Sequence, residues 1–345
     1  MKLSELLHKI KRKISKINAF SKLCNRGAFS NSADINDIYY CFRLILGRNP
    51  NPEECKGHSG MVGVDLTEVV KSYVQSMEFQ NRNLLKPSLS EVAIIEKSSF
   101  NVCCDPKDHG VGRVVAIGEY EPHITKIFRT YLKPNMRVLD IGANIGFFSL
   151  LSASLVGKNG AVFAVEPNMK NCRFIQASKD LNNFTNISIM QFAAHSSSGV
   201  LSNNSSFSNG TTSRPSLNLD ILMTSNLVAA IQLDNIKDFD NGIDLIKVDV
   251  EGAEYNALLG AKELISKHRP IIITEFSPGA MPNISGVNGL TYLKFICSFG
   301  YELNVLNTDC TIHKYGQDAE GVLKAYNSVN VDHIDILAVP KEGRN

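Results

Sequence analysis

From about residue 94 onward, the sequence alternates short apolar runs with glycine-containing turns and helical patterns. The run "RVLDIG" is typical of a buried strand and residues 145–156 of a helix, and "AVFAVEP" with residues 168–181 repeats the pattern. Because parallel strands need a long crossover, usually a helix, this alternation predicts an α/β fold with a mostly parallel, doubly wound sheet over residues 94–340. Further strands are predicted at "ISIMQFAA", "LVAAIQLD", "IDLIKVDV", "PIIITEF", "YELNVLN" and "DILAVP".

A smaller helical unit is predicted before this sheet, at residues 33–86. The segments "DINDIYYCFRLILG" and "DLTEVVKSYVQSMEFQNR" have apolar residues at helical spacing, and "RNPNPEE" between them is typical of a turn that starts a helix. A chain of 345 residues has room for a full core and this second domain. We interpret "LLKPSLSE" as the linker.

The first 30 residues are predicted to contain a basic amphipathic helix. In "MKLSELLHKIKRKISKINAF" the apolar residues recur at helical spacing and Lys or Arg fills the other face. Residues 1–22 hold seven Lys/Arg against the single acid Glu5. Such a helix either packs its apolar stripe on the protein or lies on an anionic membrane surface, and we take peripheral membrane contact as the hypothesis.

The rest of the chain is mildly acidic, because residues 1–22 carry +6 and the whole chain only +2. An acidic body does not favour nucleic acid as a partner, which needs a basic face. The eight cysteines show no C-x-x-C spacing and no clustered histidines that indicate a zinc site. The sequence has no apolar run long enough to cross a membrane and no secretory signal pattern, so we expect a cytoplasmic protein.

The first strand is followed by a glycine loop, "VLDIGANIGFF", where ligands bind in sheets of this type. Gly142 and Gly146 allow a tight turn and close approach to a ligand, and Asn144 lies between them. The spacing is G-x-x-x-G rather than the G-x-G-x-x-G of dinucleotide sites, and Asp140 would repel a pyrophosphate. An acid at this position favours a cationic cofactor such as S-adenosylmethionine, which brings an ammonium and a sulfonium.

Residues at the next two strand ends complete the predicted cofactor site. Glu166 ends "FAVEP", 20 residues after Gly146, where a carboxylate is able to accept bonds from both ribose hydroxyls; a helix-start acid is the alternative. Phe192 and Ala193 in "MQFAAHS" are predicted to flank the adenine, although Phe192 equally suits the core.

The ordered segments "GEYEPHITKIF", "VLDIGANIGFFSL", "FAVEPN", "LDNI", "IDLIKVDVEGAEYNALLGAKELI" and "PIIITEFSP" resemble the FkbM-type methyltransferases over residues 94–340. The resemblance implies a class I, Rossmann-like methyltransferase that uses S-adenosylmethionine and mainly methylates hydroxyl oxygens. It also implies a seven-stranded sheet with one antiparallel strand near the edge. In such enzymes Glu121 would line the methionine end of the cofactor pocket; a helix cap is the alternative.

The helical unit carries a second resemblance. "RLILGRNPNPEECKGH" and "SMEFQNR" are similar to a short helical domain of unknown function that is often attached to bacterial glycan-synthesis enzymes, with Met77 where that family usually has Pro. This resemblance implies a saccharide-pathway context, and the helical domain's own biochemical role is unknown.

Acidic residues follow the strands "LIKVDVE" and "IIITE". Strand alternation predicts Asp249 and Glu251 on one side of the pleat with Lys247, while Glu254 falls at a helix start. Methyl transfer to a hydroxyl needs a base, and we assign Asp249 next to the methyl group, with Glu251 or Glu275 orienting the acceptor or a cation. Salt bridging with Lys247, for Asp249 and Glu251, and a solvated strand end, for Glu275, are the structural alternatives.

Two further expectations concern the chemistry of this edge. His195 is the second candidate for the base, because its ordinary pKa suits the task. The acids are also of the type that binds a divalent metal ion, and the sequence fixes no ligand set.

Residues 196–216 form an unusually polar segment, in which 17 of 21 residues are Ser, Asn, Gly, Thr or Pro. This composition predicts either a disordered insert or a mobile functional loop.

Together these patterns predict an O-methyltransferase that acts on a hydroxyl of a bacterial surface sugar or glycan. The alternatives are an O-methyltransferase of a small natural product and a non-catalytic scaffold in glycan assembly.

Overall fold

A computed structural model describes residues 30–82, 92–206 and 208–341. The predicted basic helix therefore lies outside the described residues. The chain divides into two compact units, Met1–Pro87 and Ser88–Asn345, and each is described by itself.

The described part of the first unit is helical. Its helices are α1 (Ile35–Tyr40), which continues as a π-helical turn at Cys41–Ile45, α2 (Pro52–His58), a 3₁₀ turn at Ser59–Met61, α3 (Leu66–Val74) and α4 (Met77–Asn81). Asp34 and Asn51 cap α1 and α2 with their side chains, so the polar residues before each apolar pattern set the helix starts. Phe42 and Tyr73 pack edge to face in the core between them.

An ion-pair network explains why this unit needs the arginine of "LGRNPNPEE". The Arg48 guanidinium contacts Glu54 of α2 and Glu78 of α4, each at 2.6 Å. The two stretches singled out in the sequence thus meet at one arginine, which ties the second helix to the fourth.

The second unit has fourteen described strands and ten described α-helices. The strands are β1 (Ala93–Glu96), β2 (Asn101–Cys104), β3 (Arg137–Ile141), β4 (Ala161–Val165), β5 (Ile187–Met190), β6 (Ala193–Ala194), β7 (Gly199–Ser206), β8 (Asn209–Ser213), β9 (Asn226–Ile231), β10 (Leu245–Val248), β11 (Ile271–Phe276), β12 (Tyr301–Leu306), β13 (Ile312–Gly316) and β14 (Ile334–Pro340). The helices are α5 (Val111–Ile117), α6 (Pro122–Tyr131), α7 (Phe147–Val156), α8 (Met169–Leu181), α9 (Leu219–Thr224), α10 (Glu254–Leu259), α11 (Lys262–His268), α12 (Met281–Ile284), α13 (Gly289–Ser298) and α14 (Ala319–Ser328).

The main sheet has the order β13-β12-β14-β11-β10-β3-β4-β5. The five strands from β11 to β5 are parallel, β14 is antiparallel to both of its neighbours, and β13 is antiparallel to β12. The predicted doubly wound, mostly parallel sheet is confirmed. The carboxyl ends of the parallel strands consequently lie along one edge of the sheet.

The sheet has eight strands rather than the seven that the resemblance implied, and two antiparallel strands rather than one. The added strand, β13, arises because the chain reverses after β12: the Asp309 carboxylate accepts the Thr311 N–H, and Cys310 has a φ of 65°. The returning residues then pair with β12 as a hairpin.

Alternation along β3 assigns its side chains to two cores. Leu139 and Ile141 belong to one buried cluster and Val138 to the other, because successive residues of a strand face opposite sides of the sheet. The side chain of Asp140 lies on the same side of the sheet as that of Val138, and α7 covers this side. The Asp140 carboxylate there accepts a hydrogen bond from Ser149 of α7.

The polar segment at residues 196–216 is not a structureless insert. Most of it forms β7 and β8, which pair as an antiparallel hairpin and join β9 and β6 in a second sheet of order β6-β9-β7-β8. The prediction of a disordered insert is therefore wrong for the described part. Pattern analysis missed these strands because Ser and Asn occupy positions where apolar residues usually mark a buried face.

The turn after β3 depends on the absence of a side chain at Gly142. Its φ is 80°, and a Cβ atom there would overlap the carbonyl oxygen of Asp249. Gly316, at the end of β13, also has a positive φ, of 58°, but it has open space around it. A side chain at Gly316 would therefore meet only backbone strain, whereas a side chain at Gly142 would meet both backbone strain and a steric overlap.

We expect Gly142→Ala to lower the free energy of unfolding by about 3 kcal/mol or more, since strain and steric overlap add. Gly316→Ala should cost only about 1–2 kcal/mol, the price of a left-handed residue alone. Urea unfolding of both variants measures the difference. Equal losses would contradict a close contact between the β3 turn and the end of β10.

Candidate active site

A cavity of about 260 Å³ lies at the carboxyl edge of the parallel strands. Ten of the eleven residues predicted for the site line it: Glu121, Asp140, Gly142, Asn144, Glu166, Phe192, Ala193, Asp249, Glu251 and Glu275. Gly146 does not; it precedes α7 with a φ of 89° and packs on Ile175. The fold thus brings both predicted groups, for the cofactor and for catalysis, to one cavity.

Asp140 presents a buried oxygen without a partner. Its Oδ2 accepts a hydrogen bond from the Ser149 hydroxyl at 2.6 Å, whereas Oδ1 has none, although the residue is only 1% exposed. Burial raises the pKa of this carboxyl, and the Lys247 ammonium opposes that shift. An unsatisfied buried acceptor at a cavity wall fits a ligand that brings a donor or a positive charge. The ammonium of S-adenosylmethionine meets this requirement.

Glu166 is held in place by the backbone around the cavity. Its Oε2 accepts the Asn144 N–H and its Oε1 the Asn168 N–H, both at 2.8 Å. Asn168, not Glu166, caps α8, so the helix-start alternative does not explain this acid. Because a carboxylate offers about four acceptor positions, Glu166 retains capacity for ligand hydroxyls. Burial raises its pKa to about 7.

Phe192 and Ala193 line the cavity, and Phe192 is also part of the core. Phe192 is 7% exposed, belongs to the main apolar cluster and still lines the cavity, while Ala193 lies in β6. They form an apolar section of the wall near Glu166.

Glu121 also lines the cavity and has left-handed backbone, with a φ of 42°. It makes no side-chain capping bond to α6, which excludes the cap as its role in this conformation. Burial raises its pKa to about 6, with Lys247 lowering it and Asp249 adding to the rise. Asp335, which contacts His123 at 2.8 Å, also raises this pKa.

An ion pair between the buried Lys247 and the partly buried Asp249 lies at the end of β10. Lys247 Nζ lies 2.7 Å from Asp249 Oδ2 and 5.0 Å from the centre of the Phe148 ring. Burial alone would neutralise both groups, but the Lys247 ammonium keeps the pKa of Asp249 below its usual value, and the surrounding carboxylates keep the pKa of Lys247 above its own. Both partners are therefore charged at neutral pH. The predicted salt bridge to Lys247 is present and lies inside the cavity.

Glu275 holds a proton next to this pair. It lies near the end of β11, opposite Asp335 of β14, and hydrogen bonds to Asp249. Burial, followed by the negative charge of Asp249, raises its pKa to about 10. The alternative of a solvated strand end does not describe this residue, which acts as a donor at neutral pH.

The strand argument for Glu251 was wrong, because β10 ends at Val248. Glu251 reaches the cavity from the following turn, where its φ is 55°. Burial and the nearby Asp249 raise its pKa. Glu254 is fully buried, and its Oε1 accepts the N–H groups of Val250 and Gly252 at 3.0 Å, so it fixes this turn rather than acting as a surface helix-start acid.

His195 is absent from the described wall of the cavity; its ring nitrogen hydrogen bonds with Ser197. The sequence argument missed His333 and Asp332, which line the cavity and contact each other at 2.9 Å. The resemblance implied an antiparallel strand near the edge of the sheet, and this was a signal for their position. Because β14 runs antiparallel to β11, the residues that precede β14 lie at the edge where the parallel strands end.

In the described ranges no group of three or more His, Cys, Asp or Glu side chains has the arrangement of a metal site. Nor does any helix in the described parts of the chain have the length and apolarity needed to cross a membrane.

Residues 140–306 match the family model of the methyltransferase FkbM domain. The matched segment contains Asp140, Glu166, Asp249 and Glu275. Residues 140–306 thus form a methyltransferase FkbM domain, of a family that uses S-adenosylmethionine. Because the match begins at residue 140, the resemblance of residues 33–86 to a helical domain of glycan-synthesis proteins stays a prediction.

Three solved structures that match part of the chain have low sequence identity to it. Methyltransferase FkbM from Methylobacillus flagellatus KT is 18% identical with a TM-score of 0.36, covering 62% of this chain and 50% of that chain. TYW2 from M. jannaschii in complex with AdoMet is 13% identical with a TM-score of 0.37, covering 72% and 84%. Precorrin-6y C5,15-methyltransferase from Geobacter metallireducens GS-15 is 12% identical with a TM-score of 0.34, covering 64% and 88%. The chain spans half the length of the M. flagellatus protein, and no curated protein matches its sequence.

The raised pKa of Glu166 gives a pH dependence for nucleoside binding. With a pKa of about 7 the group is ionised above that pH and protonated below it. If the carboxylate accepts the ribose hydroxyls, affinity is full above pH 7 and falls up to about tenfold per unit as the pH drops below it. We expect this profile in calorimetric titrations with 5′-methylthioadenosine, which lacks the amino-acid end of the cofactor.

Glu166→Gln should give weak binding that does not change with pH. Glu121→Gln is the matched control and should keep the wild-type profile, because Glu121 interacts with Lys247, Asp249 and Asp335 and not with the residues that hold Glu166. A wild-type affinity that is constant between pH 6 and 8 would remove Glu166 from ribose recognition.

Proposed function

We propose that the protein is an O-methyltransferase that transfers the methyl group of S-adenosylmethionine to a hydroxyl of a saccharide. One observation carries the proposal: the cavity that contains the unpartnered Asp140 oxygen also contains the ionised Asp249, with a protonated Glu275 beside it. A site for a cationic cofactor and a site for proton transfer thus share one enclosed space.

The cofactor would be held by residues whose chemistry fits its parts. Asp140 would bind the ammonium, Glu166 the ribose hydroxyls, and the Phe192 and Ala193 wall the adenine. When bound, S-adenosylmethionine supplies a methyl group activated by the neighbouring sulfonium. Gly142 shapes the turn on which this cradle rests.

The proposed chemistry of the acceptor end follows from the charge states. A hydroxyl is a poor nucleophile until a base removes its proton, and Asp249 is ionised and available for this role. Lys247 holds Oδ2 of Asp249, and the Glu275 proton adds a second fixed contact, so the carboxylate is oriented before an acceptor arrives. Glu121, with a pKa of about 6, is a second carboxylate able to take the proton at neutral pH.

Support for a saccharide acceptor comes from the helical unit, whose sequence resembles modules attached to glycan-synthesis enzymes. A small natural product with a hydroxyl group would use the same chemistry and is the alternative acceptor. A non-catalytic scaffold is disfavoured by the buried charges of the cavity, which cost stability and serve no purpose in a protein that only organises partners.

Asp249→Asn tests the chemical part of the proposal. We expect methyl transfer to fall by about 10²–10⁴-fold, the usual contribution of a general base, with little change in calorimetric affinity for S-adenosylmethionine. The readout is mass spectrometry of surface glycans from cells that lack the protein and carry either variant, in which the mass of one CH₂ group should disappear. Asp220→Asn, at an exposed position of α9, is the control.

The outcomes are distinct. Glycans that keep the CH₂ increment in cells without the protein would overturn the saccharide acceptor. Normal methylation by Asp249→Asn would remove Asp249 from catalysis, and no binding of S-adenosylmethionine by the wild type would favour the scaffold.

We further propose that residues 1–22 bring a cytoplasmic enzyme to an anionic membrane surface. Support comes from the seven Lys/Arg residues on the predicted amphipathic helix. Sedimentation with anionic liposomes should pellet the full chain and leave a chain lacking residues 1–22 in solution. Equal pelleting of the two forms would contradict the proposal.

A further inference from the structure

We propose that the β7–β8 hairpin is part of the nucleoside-binding site, with Asn209 as a direct contact to the cofactor's nucleoside and Thr212 beside it. The inference rests on the proposed function, because it assumes that the cavity binds S-adenosylmethionine. It assigns a role to the Ser- and Asn-rich segment, for which the sequence offered only disorder or mobility.

One side of the hairpin end is fixed by a buried aspartate outside the sheet. The Asp108 carboxylate, 5% exposed, accepts the N–H groups of Ser208 and Gly112, both at 3.0 Å. The Ser208 hydroxyl in turn accepts the Val111 N–H at 3.0 Å. The start of β8 is therefore anchored to the segment that leads into α5.

The other side is fixed by the residues that hold Glu166. Asn171 donates to the Ser208 carbonyl at 2.8 Å, and Asn144 donates to Asn209 Oδ1 at 3.0 Å. Asn144 also gives its N–H to Glu166, and Asn171 contacts Glu166 through its side chain. Asn144 and Asn171 each link the hairpin to Glu166, the carboxylate predicted to bind the ribose.

Two parts of the hairpin reach the cavity in different ways. Asn209, the first residue of β8, lines the cavity at the end of the hairpin, where Asn144 holds its side chain, although alternation along β8 alone would place it with Thr211. Farther along the strands, alternation turns one face to the cavity. Asn203 of β7 and Thr212 of β8 are directly paired, and both line the cavity. Asn203 is only 7% exposed. The next pair, Asn204 with Thr211, is not part of the lining, and Asn204 is exposed and bonds to Ser213 within the hairpin.

The chemistry of this face suits an uncharged ligand. It offers amide and hydroxyl groups, which both donate and accept hydrogen bonds, and it carries no ionisable side chain. The acidic residues of the cavity form a separate group, in which Glu121 and Glu275 both interact with Asp249, and this group suits a cation and a proton in transfer. A cofactor with a neutral nucleoside and a positively charged part matches this division.

Paired titrations test the assignment. We expect Asn209→Ala to weaken binding of S-adenosylhomocysteine and of 5′-methylthioadenosine by the same factor, about twofold to tenfold, because both ligands carry the nucleoside. Thr212→Val should act in the same direction. Asn204→Ala changes the same residue type on the outer face of the same hairpin and should leave both affinities unchanged.

The comparison separates this inference from the proposed function. Thermal unfolding first establishes that Asn209→Ala and Thr212→Val are folded. If the wild type binds S-adenosylhomocysteine and both variants bind 5′-methylthioadenosine with wild-type affinity, the inference is overturned and the proposed function stands. A loss confined to S-adenosylhomocysteine would place the hairpin at the amino-acid end and also overturn it. If the wild type binds neither ligand, the proposed function fails first.

Discussion

The ion pair of the buried Lys247 with the partly buried Asp249 is the interaction on which the site depends. A charge removed from water is tolerated only when a close partner and further contacts compensate the loss of hydration. Here a 2.7 Å contact, the Phe148 ring and the Glu275 proton provide that compensation. The same arrangement keeps one carboxylate ionised and its neighbour protonated, so two identical functional groups have different roles within one cavity.

The sheet supplies this pair with its surroundings. Asp140 and Lys247 are adjacent in register on β3 and β10, and Glu275 and Asp335 are adjacent on β11 and β14. Side chains that are far apart in the chain thus meet at one edge because parallel strands end there. The glycine turn after β3 and the buried Glu254 after β10 then fix the loops that leave this edge.

Much of this arrangement was readable from the sequence, and the failures have physical reasons. Asp140, Glu166 and Asp249 follow apolar runs at strand ends, so local patterns located them. Glu251 lines the cavity as predicted, but it does so from a turn and not from the strand, because the backbone leaves the strand after Val248. His333 was missed because its position depends on the direction of β14, which is a long-range property that periodicity does not contain. The hairpin was not predicted because the side chains that it turns to the cavity are polar. Its sequence therefore lacks the apolar alternation that marks most buried strands.

The anchoring of the hairpin also bears on how the protein folds. Asp108 and Ser208, whose hydrogen bond closes this side of the cavity, are separated by 100 residues of chain. The pairing of β3 with β10 joins residues equally far apart, Val138 and Leu245, but those strands are buried in the apolar cores. The end of the hairpin is held by polar contacts instead, and such a segment opens at a lower free-energy cost than the core. A chain with an intact sheet but an undocked hairpin would therefore be folded by most measures and still lack one wall of the cavity.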